Sequence, residues 1–139
     1  METKPSNPKD NVGSTKLPYH LVPGEVIGGV SLALLEGALK YGAYNYRVAG
    51  VRYSIYYSAL QRHINAWWNG EDIDQESGIH HLYKAMACLV VLADSMHIGN
   101  AQDDRPPRLQ AGWVREMNKQ AKNLIDKYPN PLPPFTEKK

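Results

Sequence analysis

Apolar residues in this chain recur every three or four positions and nowhere alternate in the manner of a strand. That spacing restricts the fold more than any other feature. Leu82, Ala85, Leu89 and Leu92 form the clearest stripe, and such a stripe is stable only when buried against another element. Val26, Val30, Leu32, Leu35 and Leu39 predict an earlier helix from Glu25 to Ala43. Gly28 and Gly29 weaken its first turn, and Gly42 suits its end. Further helices are expected from about Tyr53 to Asn69, from near Ser77 to about His97, and through LQAGWVREMNKQAKNLIDKY with its stripe Val114, Met117, Ala121 and Leu124. NAQDDRPPR breaks the chain before that last helix, and PNPLPPFTEKK cannot continue it. The expected fold is all-α: a compact bundle of about four helices with an extended N-terminal arm and a Pro-rich tail.

At 139 residues the chain is long enough for one core without disulfides or a structural metal. The expected organisation is a mobile arm over residues 1–15, one helical domain over 16–128, and a tail over 129–139. LPYHLVP (17–23) reads as extended because prolines push their predecessors out of the helical region, with Leu21 and Val22 packing on the domain. The connector AYNYRVAGVR is too aromatic for a flexible loop and is expected to pack.

A net charge of +2 argues against nucleic-acid binding, which needs a concentrated basic face. The lone Cys88 excludes an internal disulfide and any Cys-based zinc cluster. No run reaches membrane-span length, and METKPSNPKDNVGSTK lacks the apolar core of a signal sequence. The expectation is a cytoplasmic protein with no membrane partner.

Chemistry concentrates in RHINAWWNGEDIDQESGIHH, residues 62–81. Glu71, Asp72, Asp74 and Glu76 crowd a connector whose ends carry His63 and His81. Both histidines fall on apolar, core-facing stripes: His63 with Tyr56, Ala59, Leu60 and Trp67, His81 with Ala85, Cys88 and Leu92. If the short connector makes the two helices antiparallel, both sit at similar depth in one interhelical space. Either alone reads as a hydrogen-bonded core residue. The two together beneath an acidic loop read as a pocket for metal and phosphate. Glu71 and Asp74 are the natural Mg²⁺ candidates there, while a solvated turn near a helix N-terminus is their bland alternative. Glu36 and Lys40 form a surface i,i+4 pair, from which Glu36 could reach inward. Trp67 and Trp68 read as core and pocket wall. Asn45, Arg47 and Arg52 could contact phosphate or base, and Asp103, Asp104 and Arg105 read as a rigid polar turn.

The blocks NPKDNVGSTKLPYHLVP, ALLEGALKYGAYNYRVAGV, RHINAWWNGEDID with SGIHHL, and DDRPP occur in that order. Together, over roughly residues 7 to 107, they closely resemble the phage and prophage dATP/dGTP diphosphohydrolase N-terminal family. The resemblance implies a link to all-α nucleoside triphosphate pyrophosphohydrolases of the MazG type, usually oligomeric, which hold Mg²⁺ with acidic side chains. These split a (deoxy)nucleoside triphosphate into monophosphate and pyrophosphate. Their E-E-x-x-E signature is absent, and the only E-x-x-D here is Glu71–Asp74, in a predicted loop.

On that resemblance Glu36, Glu71, Asp74 and His81 would bind Mg²⁺ or Mn²⁺. His63 and Glu71 would be catalytic, His63 as general base or as the group orienting a metal ligand. Lys40, Asn45, Arg47, Arg62, Trp67, Asp104 and Arg105 would contact a purine deoxynucleotide. The protein would be a homo-oligomer, a dimer or tetramer, in the host cytoplasm if phage-encoded. The rival readings are a non-catalytic helical module that binds a nucleotide or a protein and, against the charge pattern, a nucleic-acid binder.

Overall fold

The computed structural model describes residues 7–137 and is mostly helical. Its elements are α1 (Pro8–Gly13), a single 3-10 turn (Tyr19–Leu21), α2 (Gly24–Tyr41), α3 (Asn45–Ala49), β1 (Val51–Arg52), α4 (Tyr53–Trp68), α5 (His81–Ile98), β2 (Ala101–Gln102) and α6 (Trp113–Asp126). The all-α expectation holds. The strands are too short to leave a sequence pattern: β1 and β2 pair in parallel, Val51 with Ala101 and Arg52 with Gln102. The chain divides between Arg105 and Pro106 into two compact units.

Helix α5 is the hub of the first unit, packing against α4 on one side and α2 on another, and also touching α3, β1 and β2. Its buried residues are His81, Ala85, Val91 and Ser95. Leu89, expected in the core, is exposed. On α2 the difference is larger. Ala33 is buried, and Val26, Gly29, Val30 and Gly37 are half-buried, whereas Leu32, Leu35 and Leu39 face outward. The spacing correctly marks a helix, and Val26 and Val30 of the expected stripe turn inward together with Leu34, but the most buried position is the small Ala33 and the leucines of the stripe face away. Small side chains let the helices approach closely. A Cβ built on Gly29 would lie 2.2 Å from Cε1 of Tyr83 on α5.

Several boundaries differ from the sequence expectation for definable reasons. Residues 8–13 of the expected mobile arm form α1, with Pro8 in its first turn and Asn7 capping it by accepting from the Lys9 N–H at 3.1 Å; residues 1–6 lie outside the described residues. Pro18 and Pro23 constrain only the residues before them, which leaves Tyr19–Leu21 free to form a turn rather than an extended run. Leu21 and Val22 do not pack but are exposed. The aromatic connector after α2 does pack: it becomes α3 and β1, and Val51 is 2 % exposed. Helix α5 starts at His81 rather than near Ser77 because Gly78 adopts φ +73°, outside the helical region. His80 then caps the helix, its Nδ1 accepting from the Leu82 N–H at 3.0 Å.

The second unit contains α6, entered through Gly112 at φ +94°. Its Met117, Ala121 and Leu124 line a shallow hollow, the apolar stripe read from the sequence. Among the described residues no helix is long and apolar enough to cross a membrane.

Candidate functional site

The segment between α4 and α5 is acidic, yet its backbone is tightly tied. The Glu71 N–H donates to the Ala66 carbonyl at 3.0 Å, the Asp74 N–H to the Ile79 carbonyl at 2.9 Å, and the His81 N–H to the Asp72 carbonyl at 2.8 Å. Ile73 and His80 form an antiparallel bridge, and Ile79 anchors the segment, 8 % exposed. Asp74 closes the tip: its carboxylate accepts from the Glu76 N–H at 3.0 Å and the Ser77 hydroxyl at 3.2 Å. The loop is therefore a fixed lid over the N-terminus of α5, where the helix dipole favours negative charge.

Beneath it the two histidines meet. His63 Nδ1 lies 2.9 Å from His81 Nδ1, and His81 Nε2 lies 2.7 Å from Glu71 Oε1. A carboxylate only accepts, so His81 Nε2 carries the proton and donates to Glu71. The His81 Nδ1 lone pair then faces His63 Nδ1. His81 is buried, His63 half-buried and Glu71 half exposed, so the chain of contacts runs from solvent inward. Burial, reinforced by the facing His81, lowers the pKa of His63, with Asp74 opposing the shift. The ring is thus neutral near neutral pH and keeps a lone pair. Burial pulls the Asp74 carboxyl upward, but the Glu76 N–H and Ser77 hydroxyl outweigh it and hold Asp74 below the usual carboxylate range. His63, Asp74 and His81 each offer a ligand atom, and these atoms lie within 4.8 Å of one another.

Glu36 sits beside this cluster rather than in it. Lys84, one turn after His81 on α5, donates to Glu36 Oε1, and Lys40 Nζ lies 3.8 Å from the same oxygen. Lys84 is also close enough to act electrostatically on His63 and Asp74. The lysine partner was missed in the sequence because it lies 48 positions from Glu36 and looks like a solvated helix charge. Arg62, beside His63 in sequence, is exposed and makes no ion pair among the described residues. Trp67 is half-buried, its ring 6.2 Å from that of the exposed Trp68.

The remaining expected contacts lie elsewhere. Arg47 pairs in two-pronged fashion with Asp94 at 3.0 and 2.8 Å and stacks over Tyr44. Asp94 is 13 residues beyond His81 on α5, about 20 Å along the axis. Asn45, at the start of α3, belongs to this distant region. Asp104 is spent on the first turn of α4, accepting from the Ser54 N–H at 2.8 Å and from the Ser54 hydroxyl. Ser54 precedes His63 by nine residues, about 14 Å along the helix. Arg105 pairs with Asp103 at 2.6 Å and lies over the Tyr53 ring. The structure therefore gathers His63, Glu71, Asp74 and His81, sets Glu36, Lys40 and Lys84 beside them, and leaves Arg47, Asn45, Asp104 and Arg105 apart.

The family model for dATP/dGTP diphosphohydrolase, N-terminal, matches residues 6–105. No curated protein and no solved structure matches the chain. The matched span contains every residue of the histidine–carboxylate cluster.

Proposed function

Because the chain belongs to the dATP/dGTP diphosphohydrolase N-terminal family, we propose that it is a metal-dependent pyrophosphohydrolase converting dATP or dGTP to the monophosphate and pyrophosphate. The observation that carries this reading is the cluster of His63, His81, Glu71 and Asp74 held beneath a fixed loop. It combines ligand atoms for a divalent ion with a carboxylate open to solvent, which metal-assisted hydrolysis requires.

The donor set fits a divalent ion. The two imidazoles and Asp74 would hold it, and Glu36, already engaged by Lys84, contributes charge balance. When bound there, a divalent ion would neutralise phosphate charge and acidify water. The protein's own groups do the rest. Arg62 and the Lys40–Lys84 pair offer cations to the phosphates, and Trp67 offers a ring face to the base. Glu71 spends one oxygen on His81 and presents the other to solvent, where it accepts the proton of the attacking water. The water oxygen bonds to the α-phosphorus as the bond from that phosphorus to the bridging oxygen breaks, and pyrophosphate leaves.

Incubating the pure protein with each deoxynucleoside triphosphate and Mg²⁺ or Mn²⁺, then resolving products, tests this reading. Pyrophosphate is expected from the purine substrates, with Glu71→Ala slower by about 100-fold or more, the scale of a lost general base. No pyrophosphate from any substrate overturns the proposal. Nucleotide binding without turnover would support the non-catalytic alternative. The same reading includes self-association as a dimer or tetramer in the cytoplasm, supported by the outward leucines of α2.

A further inference from the structure

We infer that the ion site is a nitrogen-selective transition-metal site formed by His63 Nδ1, His81 Nδ1 and Asp74, taking Zn²⁺, Co²⁺ or Mn²⁺ far more tightly than Mg²⁺. Glu71 acts here as the orienting partner of His81 and not as a ligand. The inference rests on the metal-dependent reading above and names its ion.

Three observations support it. First, the two Nδ1 atoms face each other at 2.9 Å. Nitrogens about 2.0–2.1 Å from one ion and at right angles to each other are separated by about 2.9 Å, so the gap now bridged by the His63 Nδ1 proton also fits a cis pair of ligands once that proton has moved to solvent or to His63 Nε2, because ligand nitrogens must be deprotonated. Second, the far nitrogen of the buried His81 meets Glu71 Oε1 at 2.7 Å. A ligating histidine characteristically donates its other N–H to a carboxylate, which fixes the tautomer and leaves the opposite lone pair for the metal. Third, Asp74 is pinned by Glu76 and Ser77 with its ligand atom within 4.8 Å of both histidines'. Its position therefore does not depend on the ion arriving.

The donor types decide the selectivity. Mg²⁺ demands oxygen ligands and keeps much of its water, whereas two imidazoles with one carboxylate suit Mn²⁺, Fe²⁺, Co²⁺ and Zn²⁺. An all-oxygen alternative would have to add Glu71 or Glu36 to Asp74, but Glu71 Oε1 is held by His81 at 2.7 Å, and Glu36 Oε1 accepts from Lys84 and lies 3.8 Å from Lys40. The Glu36 carboxylate balances the Lys84 charge, so that ammonium does not leave the site with an uncompensated repulsion. Three protein ligands would leave further positions on an ion for water or phosphate oxygens.

The full-length chain, stripped with EDTA and free of nucleotide, is titrated with Co²⁺, Zn²⁺ and Mg²⁺ in turn. One Co²⁺ per chain is expected, giving visible absorption that Zn²⁺ abolishes and that Mg²⁺ at about 100-fold excess leaves in place. His63→Ala should lose the absorption, and Glu71→Gln should weaken binding by about 10- to 100-fold. Should His63→Ala fail to fold by circular dichroism, nitrogen NMR of the unaltered protein reads the ligands directly: Zn²⁺ should displace the Nδ1 resonances of two of the five histidines. Competition by Mg²⁺ on equal terms, unchanged binding in a folded His63→Ala protein, or five unmoved histidines overturns the inference. Pyrophosphate release without such binding would overturn this inference and leave the proposed function standing. Tight binding without release from any nucleotide would do the reverse.

Discussion

The residue that best shows the chain acting over distance is Asp104. Helix α4 begins at Tyr53 after Arg52, which provides no side-chain cap. Asp104 supplies one from 50 positions away by accepting from the Ser54 N–H and hydroxyl, satisfying a donor that the first turn leaves without a helical partner. Ser54's hydroxyl, then its N–H, hold the Asp104 carboxyl below the usual carboxylate range. A pKa lowered in the folded state means that the unfolded chain binds more protons, so the stabilisation is present above the ordinary carboxylate range and lost as pH falls through the lowered value. Asp104→Asn should therefore lower the melting temperature at neutral pH, and its gap from the unaltered protein should narrow as pH drops below about 4. A gap of constant size across that range would rule out the carboxylate as its source. Reading DDRPP as a rigid polar turn located the residue but not its partner. Sequence spacing reports neighbours on one helix; it carries nothing about a carboxylate closing on another element. The same gap explains Arg47, read as a free phosphate contact but held by Asp94. His63 and His81 were legible because each lies on a stripe, and the short connector forces their helices together.

At the scale of elements, glycines distinguish a helix that forms from a helix that packs. Gly28 and Gly29 read alike in the sequence, as adjacent weaknesses in the first turns of α2. In the structure a Cβ on Gly28 meets nothing within 4 Å, whereas one on Gly29 meets the Tyr83 ring at 2.2–2.5 Å. Alanine is favoured over glycine in a helix by about 1 kcal/mol, so Gly28→Ala should stabilise by up to that amount. Gly29→Ala gains the same propensity but forces Tyr83 or the whole of α5 to move, and overpacking of this kind costs about 1–3 kcal/mol. Urea denaturation of the two variants should thus move the midpoint in opposite directions. Equal stabilisation by both would show that α2 and α5 do not approach as described. The pattern also explains why Leu32, Leu35 and Leu39 of the apolar stripe face outward although Val26 and Val30 turn in. Hydrophobicity ranks leucine above glycine and alanine, but close approach of two helices selects the smaller residues. The period of the stripe identified the helix, and side-chain size determined which face turned inward.

For the molecule as a whole, the balance of buried and exposed apolar side chains is unusual. Among the described residues the buried hydrophobics are Ala33, Val51, Ile79, Ala85 and Val91, mostly small, whereas a domain of this size normally closes over larger ones. Leu32, Leu35 and Leu39 meanwhile share the outward face of α2 at 50 %, 51 % and 79 % exposure. Single exposed leucines are ordinary, but three on one face at helical spacing form a contiguous patch that monomers rarely leave to water. A two-fold copy satisfies such a patch most simply, because one surface meets itself across the axis. Under the proposed self-association, sedimentation velocity at tens of micromolar should show a dimer or tetramer. Leu35→Glu with Leu39→Glu should shift it toward monomer, because each added carboxylate would sit in the buried interface without a partner. The doubly substituted chain should also melt at a lower temperature, and its melting temperature should lose the dependence on protein concentration expected of the unaltered chain. A monomer at every concentration in the unaltered protein would refute self-association. An oligomer that survives both substitutions would place the interface on another face.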